Sequence, residues 1–173
     1  HAELTQPQDS IVEMYRNKFY EPKPFYSDGD YGTALNPRTQ FAAMITRLDT
    51  YVGQIIEELE RQGIADKTLF IFTSDNGPHQ EGGADPYFFN TESRLKGLKR
   101  ALYEGGMRVP YIAYWPGKIQ PGSISHIQAA GWDMMPTFVD LLGVDSNWRE
   151  EAMDGISILP TLLNKGEQPL HEF

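Results

Sequence analysis

Thr68-Leu69-Phe70-Ile71-Phe72-Thr73-Ser74-Asp75-Asn76-Gly77-Pro78-His79 is the stretch whose reading decides the fold. Its first six residues are rich in β-formers and nearly all apolar, the pattern of a short strand buried on both faces. The run stops at Ser74-Asp75-Asn76-Gly77, a string of turn residues. Upstream, Phe41, Met44, Ile45, Leu48, Val52, Ile55, Ile56 and Leu59 recur at helical spacing. They predict a helix over 38–62, with Asn36 as its cap, Pro37 at the first helical position and Gly63 as its terminator. Downstream, Met107 to Trp115 reads as a second strand that Pro116-Gly117-Lys118 ends. Asp133 is expected to cap a helix through Leu142, with Gly143 closing it. Helix, strand, loop, strand, helix is an α/β order. Two or three buried strands do not make a doubly covered sheet by themselves, so other strands or a partner's edge are expected beside them.

The flanks carry less signal. Residues 1–37 hold Pro7, Pro22, Pro24 and Pro37 and read as one long irregular loop, with a short helix over 9–16. Its aromatic residues are read as packing groups. Residues 38–173 form the α/β part of what is read as a single segment, and 156–163 is expected to hold a short turn or helix.

Composition narrows the function. A formal charge of −9 over 173 residues makes the chain a poor general partner for nucleic acid, while leaving room for a local cationic pocket. The absence of cysteine excludes disulfides, thiolate metal sites and thiol nucleophiles. No apolar run approaches the length of a membrane span, and His1-Ala2-Glu3-Leu4 does not read as a signal peptide.

Ligands in open α/β sheets gather beyond the carboxyl ends of the strands, where Asp75 and Asn76 stand. Their oxygens are hard donors that suit Ca²⁺ or Mg²⁺, yet two are too few for Ca²⁺, which takes six to eight. Taken alone, the tetrapeptide is better read as a strand-end turn with Asp and Asn bonded to local backbone. A second candidate is the cationic run Lys96 to Arg100 ahead of Glu104-Gly105-Gly106, where a lysine can meet a sulfate or phosphate oxygen. Taken alone, it is equally a solvated basic loop. His79 follows the Asp-Asn pair closely enough to share its site. Tyr87, Phe88, Phe89 and the acidic loop near Glu81 read as surface.

In order, these pieces resemble the sulfatase family. The resemblance runs from His1-Ala2-Glu3-Leu4 through Met44 to Ile55, Phe70 to His79, Lys99 to Pro110 and Asp133 to Thr137, and closes at Asp154-Gly155. It implies a partial alkaline-phosphatase-like α/β sheet flanked by helices, the first strands of which precede this chain. It implies hydrolysis of sulfate esters by a formylglycine, made from Cys or Ser in a Cys/Ser-x-Pro-x-Arg motif, with one Ca²⁺ on the sulfate oxygens. By motif matching, Asp75 and Asn76 correspond to calcium ligands and Lys99 to the sulfate-binding lysine, with Lys96 as its fallback. His1 corresponds to a histidine that contacts the sulfate or the leaving oxygen, and His79 is a candidate for lining the substrate pocket.

No serine here stands in Ser-x-Pro-x-Arg. The nucleophile is therefore expected outside the chain, and the chain alone is expected to be inactive. The expected substrate is a small sulfate ester or a sulfated glycan. A periplasmic or extracellular location, and self-association through exposed sheet edges, complete the expectations. Two alternatives stay open: a phosphodiesterase or phosphotransferase of the same superfamily, and a non-catalytic module that binds an anion or a sulfated glycan.

Overall fold

The strand expected over 68–73 is present as β1, Phe70–Thr73, and it pairs with β2, Tyr111–Tyr114. These come from a computed structural model that describes residues 4–21, 23–27, 29–91, 93–144 and 153–172. The helices are α1 (Ser10–Tyr15), α2 (Pro37–Arg61), α3 (Glu104–Met107), α4 (Met134–Leu142) and α5 (Leu159–Leu163). The α/β order expected from the sequence holds.

The sheet is shorter and more open than the sequence pattern implies. Phe70, Ile71 and Phe72 are half-buried, and Ile112 is 59 % exposed. Two paired strands alone give these apolar side chains little to pack on. The second strand also starts late. Tyr103 to Arg108 coils instead, with Gly106 N–H donating to Tyr103 O at 2.8 Å and Arg108 N–H to Glu104 O at 2.7 Å. Pro110, which has no N–H, stands immediately before β2 and limits ladder pairing at that end.

The described residues fall into two compact units, 1–62 with 72–112, and 63–71 with 113–173. In the first, Asp9 caps α1 by accepting the N–H groups of Ile11 and Val12. The same carboxylate receives the Arg47 guanidinium of α2 at 2.9 Å, and Tyr15 bonds Thr46 at 2.6 Å. Val12 and Ala43 are buried. Phe41 stacks on Phe89, which meets Phe19 and Phe88 edge-on, so the aromatics at 88–89 and Phe19 pack together. Arg38 covers Phe88 and pairs with Asp85 at 2.7 Å, fastening the 85–89 loop to α2.

In the second unit Asp133 departs from its expected role. It stands at the N-cap of α4 but makes no side-chain bond to that helix. Its fully buried carboxylate accepts the N–H of Ala130 at 2.7 Å and of Ile156 at 3.0 Å, and both oxygens meet His171 Nε2 at 3.0 Å. Thr137 adds a second tie, receiving the N–H of Ile158 at 2.9 Å. Gly155 lies so close to Trp132 that a Cβ there would stand 2.2 Å from its carbonyl oxygen. The Asp133–Thr137 and Asp154-Gly155 strings are thus one packed joint.

Candidate functional site

The chain leaves β1 into a tight turn. Ser74 Oγ donates to Asn76 O at 3.0 Å, and Asn76 Nδ2 donates to Gly77 O at 2.8 Å. With its nitrogen turned onto backbone, the Asn76 amide presents Oδ1 as an acceptor. Asp75 is exposed beside it. Two hard oxygens at a strand end fit Ca²⁺ in kind and fall short of it in number. No group of three or more His, Asp or Glu side chains converges among the described residues. The pair matches only a part of the oxygen set that such an ion takes.

Backbone hydrogen bonds join this turn to the cationic loop. Gly77 N–H donates to Gly106 O at 2.9 Å, Lys99 N–H to Pro78 O at 2.8 Å, and Gly105 N–H to Lys96 O at 2.9 Å. Glycine is obligatory at this crossing. A Cβ on Gly77 would stand 1.9 Å from Gly105 O, one on Gly105 would stand 2.1 Å from Gly97 O, and one on Gly106 would stand 2.2 Å from Ala101 O. Gly97 also has a φ of +92°, a backbone state that glycine alone adopts freely. The strand-end turn and the cationic loop therefore meet on one glycine-lined crossing, which sets Lys99 on the same scaffold as Asp75 and Asn76.

The charge at this crossing is organised by Glu81. Its side chain is 13 % exposed. Lys99 Nζ lies 3.0 Å from Oε2, and Tyr31 OH donates to the same oxygen at 3.0 Å. The Arg100 guanidinium sits on Oε1, close in charge but not in hydrogen-bonding geometry. The Lys99 bond, followed by the Tyr31 bond and the Arg100 charge, holds the Glu81 carboxyl at about 2 against burial. Two cations on one carboxylate leave one net positive charge in a chain of formal charge −9.

His79 accepts the Glu81 N–H on Nδ1 at 3.1 Å. Burial pushes its pKa down, and the Lys99 and Arg100 charges push the same way against Glu81. An acceptor role at Nδ1 places the ring proton of the neutral imidazole on Nε2. Lys96 Nζ lies over the Tyr103 ring, 3.8 Å from its centroid. His1 lies outside the described residues. The reading of the loop near Glu81 as mere surface is corrected, since its carboxylate is the hub of the cluster. Glu81 and Tyr31 were missed as site residues because their partners are 18 and 50 positions away in sequence.

The family model for sulfatases matches residues 5–144. This chain belongs to the sulfatase family. Human N-acetylgalactosamine-6-sulfatase is 33 % identical to it over 158 residues, which cover 88 % of this chain and 27 % of that protein. The structure resembles Ps i-CgsB in complex with a neocarrahexaose (TM-score 0.67, 28 % identity, 92 % of this chain and 30 % of that one). It also resembles BT4656 in complex with its substrate D-glucosamine-2-N,6-O-disulfate (TM-score 0.60, 29 % identity, 78 % of this chain and 24 % of that one). This sulfatase chain thus spans 24–30 % of the length of these relatives. Its two-stranded α/β sheet is a part of their fold.

Proposed function

We propose that this chain supplies the anion-receiving side of a sulfatase that hydrolyses sulfate esters, with the attacking group outside it. The glycine crossing carries this reading, because it puts Asp75, Asn76 and Lys99 on one backbone scaffold. Asp75 and Asn76 would hold one Ca²⁺, which when bound draws charge from the sulfate oxygens. Lys99 then binds a sulfate oxygen through its compact ammonium, with three donors of which Glu81 takes one. His79 lines the substrate pocket as a neutral donor. His1 contacts the sulfate or leaving oxygen, and Lys96 is the reserve cation. The nucleophile is a formylglycine from a Cys/Ser-x-Pro-x-Arg motif, which this chain lacks.

Names of relatives point to sulfated sugars as the substrate class. No described helix is long and apolar enough to cross a membrane, and we assign a periplasmic or extracellular site of action to the longer protein. Exposed apolar groups on the strands and on α2, among them Ile112, Tyr51 and Ile55, support self-association of the chain when isolated.

Catalysis needs nucleophile, cations and metal in one geometry. The test compares this chain with the longer protein that carries it, on an aryl sulfate and an aryl phosphate. Turnover of the sulfate by the longer protein alone is expected. Turnover by the isolated chain, or a preference for phosphate, would overturn the reading.

A further inference from the structure

We propose that Glu81 is a positioning residue, which holds the Lys99 ammonium in place for an incoming sulfate oxygen and keeps Arg100 beside it. The inference rests on the sulfate-binding reading of Lys99. It goes further by naming a carboxylate that no motif match assigns.

Three observations carry it. First, the carboxylate is largely buried, and the partners that meet it are the side chains of Lys99, Arg100 and Tyr31. A buried carboxylate kept for packing is more economically met by backbone N–H groups, which are already fixed. Second, the backbone of Lys99 is fixed by the glycine crossing, while its long stem is not. A lysine left to itself visits many rotamers, and each binding event must then freeze them. The contact at 3.0 Å to Oε2 freezes the stem in advance. Third, Tyr31 reaches the same oxygen from the long loop before α2 and orients the carboxylate without changing its charge. Arg100 completes the arrangement from a left-handed backbone, φ +77°, that residues other than glycine adopt rarely.

Charge alone makes the opposite prediction. Glu81 is an anion near an anion site, so its removal should favour sulfate by simple electrostatics. Positioning predicts the reverse. The two accounts therefore separate by sign.

The experiment uses the longer protein, with inorganic sulfate as the probe in a calorimetric titration. Glu81→Gln is expected to weaken sulfate binding by about tenfold, the scale of one long side chain's rotamer freedom. Tyr31→Phe keeps every charge and is expected to weaken it by about threefold, a fraction of the same effect. In turnover of an aryl sulfate the loss should fall on KM with kcat within about twofold, because the lysine contact exists before and during reaction. Tighter or unchanged sulfate binding in Glu81→Gln overturns the proposal. If that variant does not fold, Tyr31→Phe decides alone, and an affinity equal to wild type overturns it. Wild-type binding without turnover would sink the proposed function and leave this inference standing. Wild-type turnover with unaltered variants would do the converse. No sulfate binding by the wild type overturns both.

Discussion

Glu81 and Asp133 are both carboxylates withdrawn from water, and they are satisfied in opposite ways. Asp133 receives two backbone N–H groups and a histidine, and it closes the joint between 130–137 and 154–158. Glu81 receives a lysine, an arginine and a tyrosine, two of them cationic. Backbone donors are spent once they are bonded. An ammonium has donors beyond the one that Glu81 takes. The company a buried carboxylate keeps thus separates one that holds the fold from one that prepares a site.

The largest effect should come from breaking the Asp133 joint. Asp133→Ala leaves two N–H groups and His171 without their acceptor, and is expected to cost about 3–5 kcal/mol in urea unfolding. Sulfate affinity in the folded fraction should not change. A variant with normal stability, or one with weakened sulfate binding at normal stability, would break the comparison.

Next in size is Gly77→Ala. The added Cβ would press on the Gly105 carbonyl at 1.9 Å, backbone against backbone, so the turn and the cationic loop must part. About 1–3 kcal/mol of lost stability is expected, together with lost sulfate binding. Loss of both distinguishes the crossing from Asp133, where stability alone should suffer.

Acid titration tests Glu81 on a smaller scale. Its folded pKa, about 2, lies below the ordinary 4.5. The ionised form stabilises the fold above pH 4.5, and that contribution is lost as pH falls toward 2. Glu81→Gln has no such group, so its melting temperature should fall less than wild type across that window. Asp9, Asp85, Glu13 and Glu58 are also held low, each with an arginine partner, and their effect is common to both proteins. Parallel melting curves would show that the Glu81 cluster contributes nothing to the fold.

Legibility in the sequence followed the range of the interactions. Helix α2 was read to within one residue at each end, because period and punctuation are local signals. Asp75 and Asn76 were legible as a strand-end pair for the same reason. The second strand was read too long, since the coil at 103–108 depends on contacts that Gly105 and Gly106 make with Lys96 to Ala101. Glu81 is not legible, because nothing nearby in sequence distinguishes a solvated glutamate from one that gathers Lys99 and Tyr31. The resemblance supplied the order of the motifs. The glycine crossing supplies the physical reason that they travel together.

The smallest expected effect lies at the helix caps, where the same contrast appears in miniature. Asn36 and Asp9 are both capping residues by position. Asp9 bonds two N–H groups of α1 and the Arg47 guanidinium. Asn36 makes no side-chain bond to α2; the Glu21 carboxylate takes the N–H groups of Arg38 and Thr39 instead, at 3.0 and 2.9 Å. Asp9→Ala should therefore cost about 1–2 kcal/mol, while Asn36→Ala should stay within about 0.5 kcal/mol. Glu21→Ala, which strips the cap that the structure actually uses, should cost about 1 kcal/mol. If Asn36→Ala proves the costlier of the last two, α2 is capped by the residue that its sequence advertises and not by the carboxylate that folds back onto it.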